Sequence, residues 1–80
     1  MKDLLTSEFL LEIEFIKKEI NNQIYYEKET YVLVPEFGTW VKAAVHDNQI
    51  VCMLTYLNTR EELYRDFLES TGKQLSKNEK

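Results

Sequence analysis

The sequence has little of the chemistry that stabilises many small domains. Among its 80 residues it has one cysteine, Cys52, and one histidine, His46. A single cysteine excludes an intrachain disulfide, and one cysteine with one histidine falls short of the four ligands of a structural zinc site. A chain this short buries only about 60% of the surface that its unfolded form exposes. We therefore expect oligomerisation or partner binding to add stability.

Motifs for catalysis are also missing. The only glycines are Gly38 and Gly72, so there is no glycine-rich phosphate loop. The strand pattern predicts that Cys52 is buried on an apolar face and that His46 lies exposed at a hairpin tip, which separates the thiol from a base. The carboxylates are typical of solvated helix faces. We predict that the protein is not an enzyme and uses no cofactor or metal.

The charge balance and the lack of long apolar runs restrict the partners. Fourteen acidic residues outnumber ten basic ones, for a net charge of −4. This disfavours a protein that tracks nucleic-acid phosphates. No apolar run approaches the ~20 residues of a membrane span. No export signal is apparent, so a cytoplasmic location is expected. The composition also suggests a phage or low-GC bacterial source.

The start of the chain has helical periodicity. A helix is predicted from Asp3 or Thr6 to about Asn22, with Thr6 as a plausible N-cap. Leu11 and Phe15 fall on a second, minor apolar stripe of this helix. The main stripe is formed by residues at steps of four, three and four: Phe9, Ile13, Ile16 and Ile20.

The middle of the chain predicts a three-stranded antiparallel meander. Residues 21–29 are ambiguous between a helix extension and a strand. Turns are predicted at Pro35–Gly38 and at Asp47-Asn48, where proline, glycine, aspartate and asparagine favour turn conformations. The three predicted strands are Thr30–Val34, Thr39–His46 and Gln49–Leu57.

Alternation along these strands makes both faces of the sheet apolar, and an antiparallel sheet normally leaves one face polar. The first helix is expected to pack on the face with smaller side chains. That face carries Val32, Val41, Ala43, Val45, Ile50, Cys52 and Leu54. The other face carries Tyr31, Leu33, Trp40, Val51 and Met53.

A second helix is predicted after the strands. Thr59 and Glu62 form a capping box, and Gly72 is the expected C-terminal stop. The predicted fold is therefore a single α+β domain of order α-β-β-β-α over residues 1–75. Leu75 is expected to fold back, and residues 76–80 to form a frayed tail.

An apolar face without a cover indicates binding, and we predict a protein partner or a second copy of the chain. One concrete version is a small phage or mobile-element inhibitor. The candidate binding residues are Tyr31, Leu33, Trp40, Met53, Leu11 and Phe15. Two alternatives remain open. The second helix covers this face, or Tyr31 and Trp40 stack the bases of a single-stranded nucleic acid with Lys42 as a nearby cation.

Overall fold

A computed structural model describes residues 3–75 and contains a five-stranded antiparallel sheet with a helix before it and another after it. The strands follow chain order across the sheet. This confirms the α+β class and an antiparallel sheet, but the three-stranded meander is wrong. The elements are α1 Ser7–Glu12, β1 Ile16–Ile20, β2 Gln23–Lys28, β3 Tyr31–Glu36, β4 Thr39–His46, β5 Gln49–Leu57 and α2 Arg60–Thr71.

The first helix is much shorter than predicted. Thr6 is its N-cap, as expected, and its side chain accepts a hydrogen bond from the Phe9 amide. The helix ends at Glu12, and Glu14 turns the chain with a φ of 77°. The segment predicted as its second half forms the β1–β2 hairpin instead. Ile16 and Ile20, four residues apart, share one face of a strand as well as of a helix, and the following tyrosines favour a strand.

All four hairpins turn through two residues with positive φ, the geometry that matches the twist of paired strands. The predicted Asp47-Asn48 turn is confirmed. The other predicted turn is wrong, because the chain turns at Phe37-Gly38 and Pro35 lies within β3. The turns are Asn21-Asn22, Glu29-Thr30, Phe37-Gly38 and Asp47-Asn48.

The shorter turn shifts the β3–β4 register by two residues. Val34 lies opposite Val41, whereas a turn spanning Pro35–Gly38 would place it opposite Thr39. A shift of two leaves every side chain on its predicted face, because the side-chain period of a strand is two. In the β4–β5 hairpin, the predicted pairing of Ala43 with Cys52 is confirmed. A bulge then places Tyr56, and not the predicted Leu54, opposite Val41.

Both helices pack on the sheet face that carries the large aromatic side chains. The prediction that the first helix covers the small-residue face is therefore wrong. The aromatic face offers more apolar area and also holds the one tryptophan, whose Nε1 donates to the Leu5 carbonyl at 3.2 Å. This main core contains Leu5, Phe9, Leu10, Ile13, Phe15, Tyr26, Tyr31, Leu33, Trp40, Leu57, Leu63, Phe67 and Leu75.

The second helix confirms its sequence signals. Thr59 and Glu62 form both hydrogen bonds of the capping box, and Gly72 closes the helix in the left-handed conformation with a φ of 76°. Leu75 folds back into the main core, as predicted. The predicted frayed tail at 76–80 lies outside the described residues.

Candidate functional site

The opposite face of the sheet has no helix over it among residues 3–75. It carries a smaller cluster of Tyr25, Val32, Val34 and Ala43, with Ile20 and Ile50 packed against it. We call these six residues the open face. An apolar sheet face normally needs a second layer. Tyr25, Val32, Val34 and Ala43 are nevertheless only 2–5% exposed, so the accessible surface of this face is limited to residues around them, such as the half-buried Ile20 and Ile50.

Coiling of the sheet makes the open face concave. Asn21 in the β1–β2 turn donates from Nδ2 to the carbonyl of Asn48 in the β4–β5 turn at 3.4 Å. These turns belong to opposite ends of the meander, so they meet only because the sheet is strongly coiled. The tip of the β4–β5 hairpin thereby forms one wall of a cleft.

Pro35 accounts for the opening of this cleft. The β2–β3 ladder ends at Leu33, so β2 and β3 separate over the stretch that contains Pro35, which has no N–H to donate. The resulting cleft has a volume of about 440 Å³, within the range of small-ligand pockets. Its lining residues are Ile20, Asn21, Gln23, Val34, Glu36, Gln49, Ile50 and Cys52.

The cleft combines an apolar base with a polar rim. Val34 and Ile50 supply aliphatic surface, and side-chain amides surround it. Glu36 is its only charged lining residue and is partly buried. This arrangement suits a ligand that has an apolar group, hydrogen-bonding atoms and a positive charge close to them. The Glu36 carboxylate attracts a cation, and no positively charged residue lines the cleft to repel it.

Cys52 also lines this cleft and is exposed, so the prediction that it is buried is wrong. The predicted register did place it correctly opposite Ala43. The error arose because the helices cover the other face of the sheet. His46 is exposed at the hairpin tip beside Asp47, as predicted.

Most of the predicted partner-binding residues lie in the main core. Tyr31, Leu33, Trp40 and Phe15 are buried beneath the helices and present almost no surface. The two exceptions are exposed, Met53 at 40% and Leu11 at 49%. Of the alternatives left open by the sequence, the structure shows that helices cover the Trp40 face.

Lys42, the cation of the predicted nucleic-acid surface, is held in a polar cluster between the sheet and α2. Its Nζ lies 3.2 Å from Asp66 Oδ2 and 2.5 Å from Ser70 Oγ, and the Tyr31 hydroxyl donates to the same Asp66 oxygen at 2.5 Å. Burial, reinforced by the hydrogen bond to Asp66, raises the pKa of Tyr31 far above its usual value. The cluster fixes α2 on the sheet and leaves no open aromatic surface there.

The cleft residues Gln23 and Glu36 were missed by the sequence reasoning. Gln23 lies in segment 21–29, which the sequence left ambiguous, and Glu36 lies in the predicted Pro35–Gly38 turn. Neither residue was therefore assigned to a strand. Pro35, one residue before Glu36, was the usable indication, since proline inside a strand marks the end of a ladder.

Comparisons with known proteins add no assignment. No protein-family model, curated protein or solved structure matches this chain. Within residues 3–75, no group of three or more His, Cys, Asp or Glu side chains is placed to hold a metal ion. None of the helices in that range has both the length and the apolar character to cross a membrane.

Proposed function

We propose that this protein acts by binding another protein stoichiometrically, through the open face and its cleft. The observation that carries the proposal is the cleft of about 440 Å³ on the helix-free side of the sheet, where the half-buried Ile20 and Ile50 adjoin the exposed Cys52. A cleft that combines apolar lining with a few polar groups is a common kind of binding site. The proposal keeps the predicted binding role and moves it to the opposite face of the sheet.

The lining of the cleft defines the chemistry of the partner. We propose a segment that inserts an aliphatic or aromatic side chain between Val34 and Ile50 and places a lysine or arginine beside Glu36. The side-chain N–H groups of Asn21 and Gln23 donate to the carbonyls of Asn48 and Ile24, so we propose that their amide oxygens accept hydrogen bonds from the backbone of that segment. Charge complementarity supports this choice, because the whole chain has a net charge of −4.

The nucleic-acid alternative has no supporting surface in the described residues. Its aromatic platform is buried, and its lysine is paired with Asp66. The cytoplasmic location, the non-enzymatic role and the phage or mobile-element origin rest on composition and motifs, and they stay predictions.

Selection from a random-peptide library on the immobilised full chain tests this proposal. We expect enriched peptides to carry an apolar residue next to lysine or arginine. The affinity of a selected peptide is then measured by calorimetry for the wild type, for Glu36→Lys and for a matched control, Glu12→Lys. Glu12 is exposed at the end of α1, which packs on the other side of the sheet.

Glu36→Lys should weaken binding at least about tenfold, equivalent to ~1.4 kcal/mol, whereas Glu12→Lys should bind like the wild type. Equal binding by Glu36→Lys, or enrichment of peptides without basic residues, would contradict the proposed site.

A further inference from the structure

The outer edge of β5 is a second surface with unusual properties. β5 is the last strand of the sheet, and within residues 3–75 its only ladder partner is β4. Its nine residues therefore direct one row of backbone N–H and C=O groups away from the sheet. Such a row is a template for pairing with another strand.

The sequence of β5 protects this edge with neither charge nor proline, and its one irregularity is the bulge near Leu54. Its residues, QIVCMLTYL, include no charged residue and no proline. Natural edge strands are usually short, charged, bulged or covered. The other edge, β1, follows that rule, because three of its five residues are Lys17, Lys18 and Glu19.

The bulge in the β4–β5 ladder makes the edge more apolar. Residues 53–55 have no registered partner in β4, and Leu54 at the centre of this stretch is 92% exposed. Val51, Met53 and Tyr56 are exposed along the same strand. The exposed apolar side chains lie on both faces of β5, beside a row of unpaired backbone groups, and together they form its apolar strip.

We infer that β5 is a dimerisation strand, and that two copies pair antiparallel about a twofold axis near Leu54. This pairing is isologous, since the same strand serves both copies, and it joins the two sheets into one of ten strands. It satisfies the free backbone groups and covers the apolar strip in a single step.

Electrostatics favour a second copy at this strand. Two chains with a net charge of −4 repel each other, but β5 brings no charges of its own into the contact. Beside Tyr56, the flank of α2 carries Arg65 among Glu62, Asp66 and Glu69. In the inferred dimer the two flanks run in opposite directions, which allows Arg65 of each copy to pair with an acidic residue of the other.

This inference does not depend on the open face binding a partner, because it uses a different surface. The test is the mass of the full chain in solution without any peptide, measured by light scattering or sedimentation over a range of micromolar concentrations. The wild type should have twice the chain mass of 9.6 kDa.

Two variants locate the interface. Leu54→Lys places a charge at the twofold axis, and Phe37→Lys is its matched control, because Phe37 is also 92% exposed but lies in the β3–β4 turn. We expect Leu54→Lys to raise the dimer Kd at least about tenfold, with an unchanged circular-dichroism spectrum, and Phe37→Lys to remain dimeric.

A wild type that is monomeric at every concentration would overturn the inference. So would a dimer, or a larger assembly, that Leu54→Lys leaves intact. Glu36→Lys changes the cleft and leaves β5 intact, so this variant should remain dimeric. A loss of peptide binding and a loss of dimerisation can therefore be told apart.

Discussion

The Trp40 indole donates a hydrogen bond to the carbonyl of Leu5, which ties the chain before α1 to the middle of the sheet. The ring also packs edge-on against Tyr26, with centroids 5.5 Å apart. Trp40 therefore belongs to the main core and orders the N-terminal segment. This relationship decides what its substitution should do.

Trp40→Ala should lower the free energy of unfolding by about 3–5 kcal/mol, because it removes a large buried aromatic group. Trp40→Phe should cost less, since it keeps much of the ring contact and loses the hydrogen bond. Denaturant unfolding measures both variants. A folded Trp40→Ala protein of wild-type stability would contradict the assignment of this residue to the core.

Stability should fall in alkaline solution because of Tyr31. The pKa of its phenol is raised in the folded protein, mainly by burial and then by the hydrogen bond to Asp66. Above the ordinary tyrosine value of 10.0, the unfolded chain therefore loses this proton while the folded chain keeps it, and unfolding becomes more favourable as the pH rises.

Thermal melts from neutral to strongly alkaline pH measure this effect. Tyr31→Phe is the control, because it cannot ionise, and its melting temperature should fall less steeply over the same range. Identical pH profiles for the two proteins would show that Tyr31 ionises equally in both states.

Cys52 should react with a thiol reagent in the native protein almost as fast as in denaturant, because its side chain is exposed in the cleft. Cys52→Ala should change stability by no more than about 0.5 kcal/mol, as expected for a surface position. Absorbance assays with a disulfide reagent give the labelling rate. Slow native labelling would mean that this side of the sheet is covered.

The sequence predictions that the structure confirms rest on local signals. The Thr59–Glu62 capping box, the Gly72 stop and the Asp47-Asn48 turn each depend on a few adjacent residues, and all were predicted correctly. The β1–β2 hairpin was missed because Ile16 and Ile20 fit helical spacing and, four residues apart, also share one face of a strand. Tertiary pairing with β2 decided between the two.

The candidate binding site was harder to predict than the helices and strands. Alternation placed the strand residues of both sheet faces correctly, but it did not show which face the helices cover. That choice depends on the relative bulk of Tyr31 and Trp40 on one face and Val32 and Ala43 on the other. The cleft depends on the β2–β3 ladder ending before Pro35, which requires knowing that β2 exists.

The central claim is that the open face binds a protein segment, and backbone chemical-shift mapping by NMR tests it most directly. The isotope-labelled full chain is titrated with a library-selected peptide. The account predicts that the largest shift changes fall at Ile20, Gln23, Val34 and Ile50, which line the cleft. Changes confined to β5 beyond Leu54, or to the helices, would contradict it.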